Sequence, residues 1–246
     1  MSSHWDFYFK QIDGNPASIF ADLGLRPAAP DASRPHLIWM LVQMKEPTPN
    51  GFSSSAEAPA LGAIEDTIVS LIQAFAIFAG RITTAGRREF YFYTAEPERS
   101  LAAISKGMTA HPGYRFDAGS RLDPSWSHYL ASLYPTSEDM LRIRNRHLVE
   151  ALKKSGDDIA APRSIDHWLY FATPEARGAF IRDATQNGFT VHAEHNQPSE
   201  GRPNPFGLII QRADVPARID GVTIELLRLA RHHNGDYGDW GTMHVK

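Results

Sequence analysis

Three short stretches of this chain gather side chains that could do chemistry. The first is His192-Ala193-Glu194-His195. Imidazoles and a carboxylate are metal ligands, so the cluster raises a metal-site reading. Two histidines three residues apart share a helix face. On a strand, His192 and Glu194 share one face while His195 turns away or starts the next loop. The segment reads as a strand entering a polar loop, so exposed edge residues outweigh a metal site. The second stretch, Ser164, Asp166 and His167, invites a hydrolytic triad. Nucleophile, base and orienting acid normally converge from separate segments, whereas these are sequence neighbours. No Gly-x-Ser-x-Gly elbow and no glycine-rich phosphate loop accompanies them. The third stretch is Gly156-Asp157-Asp158, with Arg163 following. Two adjacent acids just past a helix end meet the negative pole of that helix, so they need a cap, a cation or a partner. His232-His233 also sits at a helix end, where cations suit the dipole.

The elements around these stretches read as two α/β units. Trp5 to Ile12 is an aromatic-rich strand closed by Asp13-Gly14, and residues 14–35, with four prolines, read as loop. Leu37 to Val42 is a continuous apolar strand. Leu61, Ile64, Ile68, Leu71, Ile72 and Phe75 recur at spacings of three and four, the stripe of an amphipathic helix. Ala76–Thr83 and Arg88–Tyr93 form a hairpin, a short helix starts at Pro97, and Tyr114–Arg121 closes the unit.

Residues 124–135 carry Trp126, Tyr129 and Tyr134 and predict a packed connection. Thr136 with Asp139 predicts a helix cap, and that helix turns Met140, Ile143, His147, Leu148, Ala151 and Leu152 inward before Gly156 ends it. Strand His167–Phe171, a helix opened by Thr173-Pro174-Glu175, strands Phe189–Ala193 and Phe206–Arg212, a helix carrying Ile219, Val222, Leu226, Leu229 and Ala230 and ending at Asn234-Gly235, and strand Tyr237–Val245 complete the second unit. The fold class is therefore α+β: two tandem ferredoxin-like βαββαβ units with antiparallel sheets, the first with an extra N-terminal strand. The expected domains are residues 1–135 and 136–246.

Composition narrows the function classes. The 246 residues hold no cysteine, which excludes disulfides and thiolate chemistry and suits a reducing, cytoplasmic setting. The N-terminus lacks the pattern of a signal peptide, and no apolar run approaches membrane-spanning length. Net charge is −3; residues 1–134 hold 11 basic against 13 acidic side chains, and the remainder 14 against 15. Neither half offers the concentrated positive field of a phosphate-gripping protein.

Aromatics on the strands, Tyr91, Tyr93, Trp168 and Tyr170, keep a single-stranded RNA reader in view, because such rings stack bases on an open sheet face. Arg88 to Tyr93 lacks the basic-glycine-aromatic pattern of that module. The plainer reading is that the other half of the chain covers such a face. A weaker alternative is a metal or small-ligand site in the 192–204 loop.

Leu152-Lys153-Lys154-Ser155-Gly156-Asp157-Asp158, Arg163, His167-Trp168-Leu169-Tyr170-Phe171 and Asn234-Gly235-Asp236-Tyr237-Gly238-Asp239-Trp240 resemble the regulator of ribonuclease E activity, type B. Trp5-Asp6-Phe7-Tyr8 and Glu89-Phe90-Tyr91-Phe92-Tyr93 look like a bacterial domain family of unknown function that often precedes it. The resemblance implies a ferredoxin-like, non-catalytic protein that binds a ribonuclease and inhibits RNA cleavage. It brings no catalytic residue, cofactor or metal ligand. This chain is longer than a type B regulator, and its matching half is close to neutral.

Strand order suggests where a protein partner would bind. Asp157, Asp158 and Arg163 are expected at one sheet edge with Glu194, His195, Glu200, His244 and Lys246. Asp236, Tyr237, Asp239 and Trp240, expected to begin at the opposite edge, form the second candidate patch.

Overall fold

The computed structural model describes residues 4–196 and 204–245. The chain divides into two compact units, Met1–Asp139 and Met140–Lys246. In the first, β1 (Trp5–Ile12), β2 (Asn15–Asp22), β3 (His36–Gln43), α1 (Ala58–Ile72), β4 (Ala76–Thr84), β5 (Arg87–Thr94), α2 (Pro97–Met108) and β6 (Phe116–Leu122) follow in order. Their strands form one antiparallel sheet ordered β1-β2-β4-β5-β3-β6. Without the β1-β2 hairpin, this is βαββαβ with its first strand between its third and fourth.

Residues 15–22 are thus strand, not loop. Asp13 and Gly14 both take positive φ, 49° and 76°, which reverses the chain tightly and pairs β2 with β1. On its other side β2 pairs with β4. Gly80 permits that approach: a Cβ there would lie 2.5 Å from the Phe20 carbonyl oxygen.

The helices pack on one face of this sheet. Ile38, Met40, Phe90 and Phe92 meet Leu61, Ile64, Ile68 and Ile104 there. Leu71, expected inward, is 38% exposed, whereas Ile72, the last residue of α1, is buried. The other face carries Tyr91 and Tyr93 and is roofed by residues 123–134 of the same unit. The Trp126 ring stacks on Tyr93 at 4.0 Å, and His128 lies 4.1 Å from Tyr91. Tyr93 donates to Asp123 Oδ2 (2.7 Å), and the Tyr129 hydroxyl donates to the Asp22 carbonyl (2.7 Å). Burial alone would raise the Asp123 pKa, but hydrogen bonds from His128 N, Ser127 and Tyr93 bring it down to about 2. The aromatic connection is packed, as expected, and it lies over Tyr91 and Tyr93 within the first unit.

In the second unit, α3 (Ser137–Lys154) leads to β7 (Arg163–Phe171), α4 (Pro174–Gln186), β8 (Thr190–His195), β9 (Phe206–Asp214), α5 (Ile219–His232) and β10 (Gly235–Thr242). The sheet order is β10-β7-β9-β8, the same βαββαβ arrangement. Thr136 Oγ1 accepts from Asp139 N while Asp139 Oδ2 accepts from Thr136 N, a reciprocal cap at the start of α3. Thr173 likewise accepts from Ala176 N at the start of α4. The core is Leu169, Phe171, Phe180, Leu208, Ile210, Leu226, Leu227 and Ala230. α3 buries Leu141, Ile143 and Asn145, whereas His147 and Ala151 are exposed. Among the described residues no helix is long and apolar enough to cross a membrane.

Candidate functional site

The two acids after α3 have opposite fates. Gly156, at φ 83°, turns the chain, and Asp157 swings beneath the end of β10. Its Oδ1 lies 2.6 Å from Arg163 Nη2, and its Oδ2 accepts from Val245 N at 3.2 Å. Arg163 also donates to the Asp158 carbonyl (2.8 Å) and to Thr242 Oγ1 (3.2 Å). Burial alone would raise the Asp157 pKa; the Val245 N–H and the Arg163 guanidinium, with His244 nearby, hold it below the usual carboxylate range. Asp157 is thus consumed in a clasp that ties the start of β7 to the end of β10. Asp158 points outward and is exposed, with Oδ1 accepting from Ala160 N.

Glu194 and His195 do not join this clasp. β9 lies antiparallel between β7 and β8, so β8 runs parallel to β7 and finishes where β7 finishes. His195 pairs with Gly207, next to Tyr170, whereas Arg163 pairs with Asp214 at the far end of β9. The expected single edge is therefore two opposite ends of the sheet. His244 belongs with the clasp, as expected, while Glu200 and Lys246 lie outside the described residues. At its own end Glu194 pairs with Arg177 of α4 at 2.7 Å. Arg177 also donates to the carbonyls of His195 (3.2 Å) and Gly207 (3.1 Å) and to Asn196 Oδ1 (2.9 Å). A buried guanidinium thus pins the root of the β8-β9 connection. The helical periodicity of α4 had given no hint of it.

The second candidate patch splits by strand alternation. Tyr237 and Trp240 point into the unit, each 3% exposed, while Asp236 and Asp239 face solvent. A bulge between Tyr237 and Asp239 sets this alternation. Trp240 Nε1 donates to Asn145 Oδ1 (2.9 Å), and Asn145 Nδ2 donates to Asp220 Oδ1 (2.7 Å) and Thr223 Oγ1 (2.8 Å). Tyr237 shares a 2.8 Å hydrogen bond with His167 Nδ1. His167 Nε2 has no hydrogen-bond partner among the described residues, and burial pushes the His167 pKa down to about 4. Burial, with Asp239 adding to it, pushes the Tyr237 pKa up.

His167 faces the helices, so Ser164 and Asp166, three positions and one position before it on β7, face the opposite way. Asp166 accepts from Gln211 Nε2 (2.9 Å) rather than from an imidazole. The triad reading fails on this alternation. Among the described residues no group of three His, Asp or Glu side chains comes together as metal ligands would.

What remains is a sheet face with no helix of its unit on it. Three rows cross the four strands there: Gly241-Asp166-Gln211-Thr190, Asp239-Trp168-Ile209-Ala193 and Asp236-Tyr170-Gly207-His195. The Trp168 and Tyr170 side chains are half-buried, and Asp236 and Asp239 are exposed. This is an apolar centre with acidic neighbours. It offers contact area and charge but no nucleophile beside a base.

Residues 3–134 match the model of a family of unknown function, DUF695. Residues 142–242 match the model of the regulator of ribonuclease activity B. No curated protein matches the chain. Two solved structures overlap it loosely. One, provisionally assigned as a glycine cleavage system transcriptional repressor, is 9% identical, with 85% of this chain and 98% of that chain covered, at a TM-score of 0.24. The other, an unknown protein from Galdieria sulphuraria, is 9% identical, with 86% and 99% covered, at 0.23.

Proposed function

Because this chain belongs to the DUF695 family, and its second unit matches the regulator of ribonuclease activity B, we propose that it is a non-catalytic, protein-binding inhibitor of an RNA-degrading enzyme. The match over residues 142–242 carries the reading, for that family points to regulation of ribonuclease activity. The geometry agrees with it. The second unit presents a sheet face and exposed acids, while its polar side chains with shifted titration, Asp157, His167 and Tyr237, are engaged inside the fold. Residues 1–135 and 136–246 act as separate domains of one cytoplasmic protein, and the partner-binding role belongs to the second.

Of the residues proposed for partner contact, Asp158, Glu194, His195, Asp236 and Asp239 have exposed side chains. Asp157, Tyr237 and Trp240 act through the fold, and Arg163 is held by Asp157. Direct RNA binding is the competing reading. It draws on Trp168 and Tyr170 and is opposed by the aspartates beside them.

The test is cleavage of a labelled RNA by purified ribonuclease E with and without the full chain. Inhibition is expected to follow the ratio of this protein to enzyme and to be unaffected by adding more RNA. Inhibition relieved by excess RNA would show that the protein sequesters the substrate instead. No inhibition at any ratio would remove this enzyme as the target.

A further inference from the structure

Resting on the regulator reading, we infer that the open face of the second sheet receives an arginine- or lysine-bearing segment of the partner protein, laid across β10, β7 and β9 over Trp168 and Tyr170. Three observations meet there. First, the rings of Trp168 and Tyr170 stand on the same face of β7, two residues apart, on the side away from the helices. Second, glycines flank them on the neighbouring strands. A Cβ at position 241 would lie 3.1 Å from the Trp168 ring, tighter than ordinary contact, and one at 207 would lie 3.8 Å from the Tyr170 ring. The Trp168 ring thus lies against the backbone of Gly241, where a larger residue would push it away. Third, the charge around the rings has one sign. Asp236 and Asp239 occupy the rows that cross the rings, Asp166 the row beside Trp168, and no position in the three rows is lysine or arginine. Asp236 and Asp239 each spend one oxygen on the following backbone N–H and keep the other toward solvent. Arg144 of α3 donates to the Gly238 carbonyl at 3.3 Å.

A cation over an aromatic face, with carboxylates at its edge, gains from the ring quadrupole and from the acids together. A guanidinium fits best, because it stacks flat and bonds a carboxylate with two parallel N–H groups. A nucleic acid gains the stacking but brings phosphates against three aspartates. Sheet-face RNA readers need cations where this face has acids.

The test uses the full chain and a fluorescein-labelled (Arg-Gly)6 peptide, followed by fluorescence anisotropy at low salt. An (Asp-Gly)6 peptide and a twelve-uridine RNA serve as comparators. Binding of the arginine peptide alone is expected. It should weaken at least about tenfold in Asp166→Asn/Asp236→Asn/Asp239→Asn and in Trp168→Leu, with thermal unfolding showing that both variants remain folded. A charge-matched control, Glu150→Gln/Glu175→Gln/Glu225→Gln, removes exposed acids away from this face and should bind as wild type. Should Trp168→Leu unfold, the Trp168 indole resonance in the wild-type protein supplies the same information, since it must shift on adding the peptide. Equal weakening in the control, binding of the uridine RNA through Trp168, or an unmoved indole resonance would each overturn the inference.

Repeating the ribonuclease assay with these variants separates the two proposals. Undiminished inhibition by the face variants would discard this surface and keep the regulator. Face-dependent peptide binding by a protein that inhibits no ribonuclease would keep the surface and discard that function.

Discussion

Asp157 and Arg163 face each other at 2.6 Å with their side chains 0% and 7% exposed, and together they close the end of the second sheet. An ion pair shut off from water is costly to break one-sidedly, because the remaining charge is left without compensation. Arg163→Ala is therefore expected to lower the melting temperature by more than about 5 °C. Asp157→Asn should do the same. Neither change should alter binding to a protein partner, whereas Asp158→Asn should leave the melting temperature untouched. Differential scanning calorimetry of the three variants checks this. A neutral outcome for Arg163→Ala would show that the clasp adds nothing to stability.

Asn145 tests a second buried arrangement. Its amide bonds Trp240, Asp220 and Thr223, joining α3, α5 and β10. Asn145→Leu removes these bonds and leaves a buried indole N–H without an acceptor, a loss of about 2–4 kcal/mol from the orphaned groups. Trp240→Phe combined with Asn145→Leu should cost less than the sum of the separate changes, because the same bond is broken in both. Urea unfolding of the four proteins in this cycle measures the coupling. Strict additivity would mean that Asn145 and Trp240 do not depend on each other.

Local signals accounted for most of the elements, and the exceptions are instructive. Thr136 with Asp139 and Thr173 with Pro174 announce α3 and α4 because a helix cap is written within four residues. Asn15–Asp22 read as loop because its proline, alanines and serine carry little strand preference. It is a strand because β1 and β4 pair with it on either side, although Asp13-Gly14 already spelled a hairpin turn. Glu194 and His195 were placed at the wrong end through strand direction, a property of the whole sheet rather than of any segment. Asn145 and Arg177 escaped notice because a buried polar side chain interrupts the apolar periodicity that reveals a helix face. A mid-helix asparagine, a poor helix former, was the available signal for Asn145. The open sheet face was half legible: Trp168 and Tyr170 stood out, but the rows that set Asp239 and Asp236 beside them appear only with the register of β10.

If residues 136–246 are a domain in their own right, that segment expressed alone should fold. It keeps the Thr136–Asp139 cap, the Asn145 bonds and the core around Phe171 and Phe180. Its amide protons in the central strands β7 and β9 are expected to exchange as slowly as in the full chain. Starting instead at residue 147 removes Asn145 and Leu141, and that shorter segment should be unfolded or markedly less stable. Hydrogen exchange of both segments decides the matter, and rapid exchange throughout the 136–246 segment would refute its independence.

Acid should act on both units through buried histidines. Burial pushes the pKa of His167 down to about 4, and burial followed by Arg121 does the same to His128. Unfolded, each returns to the ordinary value of about 6.5. Between these values the unfolded chain binds protons that the folded chain refuses, so stability rises with pH across the window. It is fully present above about pH 6.5, declines as pH falls, and is lost by about pH 4. From pH 7 to pH 5 the cost is about 2 kcal/mol for a histidine shifted this far. His167, with no exposed surface and one ring nitrogen lacking a partner among the described residues, should show the effect most clearly. His167→Gln cannot titrate, so its unfolding free energy should change less between pH 7 and pH 5 than that of the wild-type protein, even if it is less stable at both. Urea unfolding at the two pH values gives the comparison. An equal pH dependence in both proteins would place the acid sensitivity outside the His167–Tyr237 pair.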